Sequence, residues 1–238
     1  PYYYGSSNGM YILITIAMLI IPLYASMKVQ STFAKYSKVR SLSGYTGEEA
    51  ARRILAINNI SIPIKPVRGS MTDFYDPINK ELALSQTVYG ETSIAALGVA
   101  AHEVGHAIQD ANDYAFLRFR HAIYPVTNFA SQLSVPLVMV GLLLGGVKPL
   151  VGIGILLFAI TTLFAIVTLP VEFNASKRAL QSLEASGIMS ADELVGAKKV
   201  LDAAALTYVA AAMASVLSLL RLIMIAKSVV MANKRIPI

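Results

Sequence analysis

Four long apolar runs constrain this chain more than any other feature. The first, "MYILITIAMLIIPLYASM" (residues 10–27), carries no charge and is long enough to cross a bilayer core of about 30 Å. The second lies within "IYPVTNFASQLSVPLVMVGLLLGGV" (123–147), and the third is "PLVGIGILLFAITTLFAIVTL" (149–169). Only Lys148 stands between them, which predicts a tight transmembrane hairpin over 123–169. The fourth occupies 203–230 and is interrupted by Arg221, a side chain long enough to snorkel toward an interface. The chain is 55% hydrophobic and 14% charged, with a mean hydropathy of +0.60, too apolar for an ordinary soluble domain. The expected architecture is a mainly α-helical multi-pass membrane protein, with about four transmembrane helices and the lipid bilayer as its solvent.

Two polar segments separate the runs. The first, 28–122, holds 11 Lys or Arg and 9 Asp or Glu. Within it, "TGEEAARRILAI" carries a capping box, Thr46 with Glu49, that predicts a helix start near Gly47. "SIPIKPV" reads as an extended, Pro-interrupted segment. "MTDFYDPINKELALS" reads as two short strands around an Asp-Pro-Ile-Asn turn. Thr92 or Ser93 then caps a helix reaching about Asp110. The second polar segment, 170–202, starts a helix at Pro170, a residue suited to a first turn. Gly187 is its natural stop, and Ser190 with Glu193 caps the helix leading into the last span.

Four spans put both polar segments on one side of the membrane. That side carries Lys28, Lys35, Lys38, Arg40, Arg118, Arg120, Lys177 and Arg178 near the span ends, against Lys148, Lys227, Lys234 and Arg235 opposite. The positive-inside rule places the richer side in the cytoplasm. The net charge of +6 thus reads as helix orientation rather than nucleic-acid binding. Cysteine is absent, which excludes disulfides and thiolate ligands. Any metal must be held by His, Asp, Glu or Asn.

The capped helix carries "GVAAHEVGHAIQD" (98–110). His102 and His106 stand four apart, so they project from one helix face and can converge on one ion. Zinc–imidazole bonds of about 2.0–2.1 Å fit that pair. Glu103, on the neighbouring edge, is placed to take a proton from the attacking water and pass it to the leaving amine. The bland alternative is two histidines and a glutamate on an ordinary amphipathic helix. Two histidines do not complete a catalytic zinc site, which takes three protein ligands. The extended motif H-E-x-x-H-x-x-G-x-x-H does not apply, since Gln109 and Asn112 stand where it needs Gly and His. His121 is the remaining histidine, and a structural or interfacial role suits it better. Glu172, just past Pro170 on the same side, is the better third ligand. It also reads as a helix N-terminal acid favouring the dipole. Ser176, one turn on, is placed to support a ligating histidine.

The strings "FAKYSKVRS", "TGEEAARRIL", "MTDFYDP", "LALSQTVYGETSIAALGVAAHEVGHAIQ" and "LPVEFNASKRAL" match in order, from about Phe33 to Arg178. On them the chain resembles the bacterial membrane neutral zinc metallopeptidases of the YugP type. The resemblance implies a multi-pass membrane zinc peptidase with one catalytic Zn2+ and a small α+β zincin-like catalytic region. It implies His102, His106 and Glu172 as ligands and Glu103 as acid/base. More distantly, the arrangement is similar to membrane heat-shock metalloproteases and CAAX prenyl proteases. Two departures stand out: Ser176 replaces an aspartate common in the distant relatives, and Phe74 replaces a histidine of the family's turn. Tyr75, Tyr89 and Arg178 are candidates to stabilise the oxyanion. In such enzymes an edge strand pairs with extended substrate, a role the resemblance offers to "ELALS", against a plain structural hairpin.

Gly141 and Gly145 form G-x-x-x-G, a motif that either pairs copies of a chain into a homo-oligomer or packs helices within one. The leading expectation is a zinc endopeptidase that cuts peptides or membrane-protein substrates at the cytoplasmic face of a bacterial cell membrane. An intramembrane protease is the first alternative, disfavoured because "QDAND" follows the motif so soon. A non-catalytic zinc-binding adaptor is the second, disfavoured because Glu103, not itself a ligand, is present.

Overall fold

The structure is a computed structural model and describes residues 4–233. Six helices and three strands follow in the order α1 (Tyr4–Tyr36), α2 (Gly47–Ile57), β1 (Ile64–Val67), β2 (Phe74–Asp76), β3 (Glu81–Ser85), α3 (Ile94–Ala111), α4 (Ala115–Leu143), α5 (Lys148–Ala185) and α6 (Ala191–Asn233). Four segments are long and apolar enough to cross a membrane: Gly9–Tyr36, Ala115–Leu143, Lys148–Ala185 and Ala191–Val229. Their apolar side chains face outward; Leu13 and Leu19 are each 68% exposed in the isolated chain. A protein core does not account for such a surface, and lipid does. The chain is a mainly α-helical multi-pass membrane protein with a small α+β region.

All four of these helices extend beyond their apolar stretches into the polar segments. The sequence places a helix start at Pro170, but α5 passes through Pro170 unbroken. Proline inside a helix loses one backbone hydrogen bond and costs roughly 3 kcal/mol. Just beyond it, Val171, Ala175, Ala179 and Leu183 recur every fourth residue, all fully buried. Burial of that face, worth roughly 1.5–3 kcal/mol for each larger side chain, offsets the proline. The helix of the second span, α4, begins at Ala115, so Arg118, Arg120 and His121 lie on it. The hairpin between α4 and α5 turns at Gly145 and Gly146, with φ of 83° and 82°, a left-handed backbone that favours glycine. Lys148 opens α5 instead of separating the helices. At Gly141 a Cβ would lie 2.8 Å from Val151 Cγ2 and 3.0 Å from Leu150 Cβ. Gly141 packs α4 on α5, and Gly145 lies in the turn.

Contacts divide the chain into two compact units. One comprises the described residues up to Tyr24, Phe119–Thr168, and those from Tyr208 onward; the other is Ala25–Arg118 with Leu169–Thr207. Within the second unit, α2 starts with the Thr46–Glu49 capping box and α3 with Ser93, whose side chain accepts from Ala96 N–H. Ser190 and Glu193 cap α6 reciprocally, and Gly187, at φ 66°, follows the end of α5. Arg53 donates two hydrogen bonds to the Ser186 carbonyl at that end. The core joins Ile54 and Leu55 of α2, Leu82 and Leu84 of β3, the buried face of α3, Leu183 of α5 and Val200 of α6.

The three strands form one sheet in the order β1-β3-β2. The expected hairpin forms: β2 pairs antiparallel with β3, Tyr75 opposite Leu82. The extended segment "SIPIKPV" contributes β1, parallel to β3 with Ile64 opposite Leu82. "ELALS" is thus the central strand with both edges paired, which corrects its assignment as an edge. Leu82, Ala83 and Leu84 are buried, a continuous apolar run that belongs in the middle of a sheet.

Candidate metal centre

The centre is built by two helices of the second unit, α3 and α5. Their close approach depends on Gly105, inside the H-E-x-x-H motif. A Cβ there would lie 2.5 Å from the Ala175 carbonyl oxygen, well inside any normal contact. With no side chain at Gly105, the α5 backbone lies against α3, and the turn carrying Glu172 and Ser176 faces the two histidines.

His102, His106 and Glu172 each offer a ligand atom, all within 4.8 Å of one another. Glu172 Oε2 lies 3.3 Å from His102 Nε2 and 3.6 Å from His106 Nε2. Two atoms bound 2.0–2.1 Å from a tetrahedral ion are about 3.3 Å apart, so these separations suit zinc. The imidazoles stand edge to face, 4.9 Å between centroids and 86° between planes, so one nitrogen of each can aim at a shared point. The histidine side chains keep 13% and 12% exposure while Glu172 keeps 3%, leaving an open side. Three protein ligands with an open position is the pattern of a catalytic rather than a structural zinc site.

The other ring nitrogens are also engaged. Ser176 Oγ is 3.1 Å from His102 Nδ1. His106 Nδ1 is 3.0 Å from Gln109 Oε1. Gln109 is fully buried, and its Nε2 donates to the Val171 carbonyl at 2.7 Å and to Asn174 Oδ1 at 3.0 Å. A carbonyl only accepts, so the Gln109 amide orientation is determined and its Oε1 is the acceptor. His106 Nδ1 must then carry a proton, which makes Nε2, the nitrogen on the Glu172 side, the one that could bind a metal. Arg178 Nε donates to the same Asn174 Oδ1 at 2.8 Å, closing a chain of three side chains behind His106. Gln109 and Asn174 were both missed as functional residues by sequence reasoning. The signal for Gln109 was its place three residues after His106 on one helix.

Electrostatics follow from burial and these contacts. Burial raises the Glu172 carboxyl, but hydrogen bonds and charges from His102 and His106 outweigh it and hold Glu172 well below the usual carboxylate range. Burial lowers His106, yet the Glu172 hydrogen bond and the charges of Glu103 and Glu172 turn its shift upward. Glu103 is pushed up by desolvation, against the opposing influence of the two histidines. A carboxylate so raised accepts a proton more readily than an ordinary surface glutamate.

The remaining candidates are placed as follows. Tyr75, on β2, donates its hydroxyl to Asp110, which also pairs with Lys80. Burial and that partner push the Tyr75 phenol well above its usual range. Tyr89 packs against the core. Arg178 sits in the chain behind His106. Phe74 is 46% exposed. Asp73 accepts from both the backbone N–H and the hydroxyl of Ser85, tying the approach to β2 onto the end of β3. His121 lies on α4 in the other unit and is not in the ligand group found among the described residues.

A family model described as "Putative neutral zinc metallopeptidase" matches residues 11–227. The chain is 51% identical over 217 residues to the Bacillus subtilis (strain 168) protein "Putative membrane protease YugP", covering 91% of this chain and 96% of that protein. No solved structure matches the chain significantly.

Proposed function

The chain belongs to the neutral zinc metallopeptidase family, and from that premise we propose that it hydrolyses peptide bonds of peptides or membrane-protein substrates at the membrane surface. The observation that carries the proposal is the convergence of His102, His106 and Glu172 within 4.8 Å, with Glu103 beside the first histidine. These three residues would hold zinc. When bound, the metal supplies Lewis-acid chemistry, polarising a carbonyl and making water acidic enough to react near neutral pH.

The chain's own residues do the rest. Glu103 takes a proton from the attacking water at a carboxylate oxygen and returns it to the departing amine nitrogen, for which its raised proton affinity suits it. Ser176 and Gln109 orient the two imidazoles, with Asn174 and Arg178 holding Gln109 in place. With β3 paired on both sides, an extended peptide would add its backbone to β2, the edge strand tied to α3 through Tyr75 and Asp110. The excess of basic residues beside the polar segments supports a cytoplasmic active face. The motif helix α3 is not one of the four candidate spans, and Glu172 lies past Leu169, where the apolar run of α5 ends; together these favour a surface site over an intramembrane one.

Glu103→Gln removes the proton acceptor but no ligand. It should lower hydrolysis of a peptide substrate on the order of 10²–10⁴-fold while zinc per chain, read by atomic emission, stays at the wild-type value. Undiminished hydrolysis would refute the role given to Glu103.

A further inference from the structure

Helices α1 and α6 change character at matched points. In α1 the uncharged stretch ends at Lys28. In α6 no charge appears between Asp202 and Arg221. Beside these points, within the unit that holds the metal centre, the two helices enclose a groove of about 450 Å³. Lys28, Thr32 and Lys35 line it from α1, and Lys199, Asp202 and Leu206 from α6. The spacings are of three and four residues, so each set lies along one helix face.

The charge in this groove is one-sided. Three ammonium groups face one carboxylate, and Asp202 is already engaged by Lys198 at 2.6 Å. Among the described residues no carboxylate pairs with Lys28, Lys35 or Lys199. Lys35 Nζ instead lies 5.5 Å from the Tyr36 ring centroid. Lysines that merely orient a span need only lie near its end; these converge from two helices on one concavity. Leu206 and the buried Ala203 add an apolar wall. Unpaired cations, a hydroxyl donor at Thr32 and an apolar wall, set where apolar helix gives way to polar, complement a phosphodiester with acyl chains attached.

We propose that this groove binds the headgroup of one anionic phospholipid, its phosphate against Lys28, Lys35 and Lys199. The test uses the full chain purified in detergent, loaded with phosphatidylglycerol or phosphatidylcholine and read by native mass spectrometry. Wild type should retain one phosphatidylglycerol in preference to phosphatidylcholine. The triple variant Lys28→Gln, Lys35→Gln, Lys199→Gln should lose on the order of 100-fold of that preference, each lysine beside an anionic surface counting for about fivefold. A control triple, Lys148→Gln, Lys177→Gln, Lys227→Gln, removes the same charge elsewhere and should retain the lipid, as should Lys28→Arg, Lys35→Arg, Lys199→Arg. Equal retention by wild type and the groove variant, equal loss in the control, or loss in the arginine variant would each overturn the proposal. So would displacement of the lipid from wild type by submillimolar inorganic phosphate, which would make the groove a free-phosphate site.

Discussion

Gly105→Ala adds one methyl group to the motif helix, and the structure gives its consequence in ångströms. The new Cβ would meet the Ala175 carbonyl oxygen at 2.5 Å, the carbonyl carbon at 3.1 Å and Cα at 3.2 Å. All three are backbone atoms, so no side chain can swing away. Restoring ordinary contact moves α5 back by about 1 Å. Overpacking of this kind costs roughly 1–3 kcal/mol, against a gain of up to about 1 kcal/mol for replacing Gly by Ala within a helix. Gly98→Ala is the matched control on the same helix, because its Cβ would find Ala197 Cβ at 3.6 Å, a normal distance. It collects the helix gain without the clash. The two variants should therefore differ in stability by roughly 1–3 kcal/mol, read as thermal unfolding in one detergent. Displacing α5 also draws Glu172 away from the imidazoles. A misplacement of about 1 Å can lower turnover roughly 100-fold, and zinc per chain should fall with it. Ala175→Gly should not rescue Gly105→Ala, since the obstruction is the carbonyl. If Gly105→Ala matches Gly98→Ala in stability, zinc content and turnover, close packing at Gly105 does not position Glu172.

Three further outcomes follow from the centre and the topology. Glu172→Ala should release zinc at chelator concentrations that leave wild type loaded; unchanged stoichiometry would mean another residue is the third ligand. Gln109→Leu removes the acceptor for His106 Nδ1 and should weaken zinc roughly 10–100-fold without exposing the core, so an unaltered affinity in a competition assay would leave Gln109 with a packing role alone. Because the chain has no cysteine, a single cysteine placed at exposed Ile78 is a unique label. An impermeant maleimide should reach it in inverted vesicles but not in intact cells, and labelling of intact cells would reverse the orientation.

The parts of this molecule that were legible in the sequence are those decided within a few residues. The His102–His106 pair needs only the helical repeat, and the starts of α2, α3 and α6 need only a cap and its partner three residues on. Four apolar runs announce four spans because the bilayer sets their length. What escaped depends on distant contacts. Pro170 reads locally as a helix start, and only the buried row from Val171 to Leu183 carries α5 through it. "ELALS" looks like half of a hairpin, and its parallel partner lies before β2. Gln109 looks like an ordinary polar residue; its burial and its three partners appear only once α5 lies alongside. Glu172 stands between these cases, since residue type and membrane side narrowed the choice while its distance to the histidines waited on folding.

The division of the second unit between two stretches of chain sets an order of events during synthesis. His102 and His106 leave the ribosome first, and Glu172 lies 70 residues beyond His102. At about 5–20 residues per second, roughly 4–14 s pass before Glu172 exists, and most of the intervening chain is the α4–α5 hairpin. Until that hairpin has been made, the two histidines and Glu103 have neither a carboxylate partner nor Ser176 behind them. Nascent chains therefore pass through much of translation with the candidate centre incomplete, and its three residues can meet only after the α4–α5 hairpin has been made.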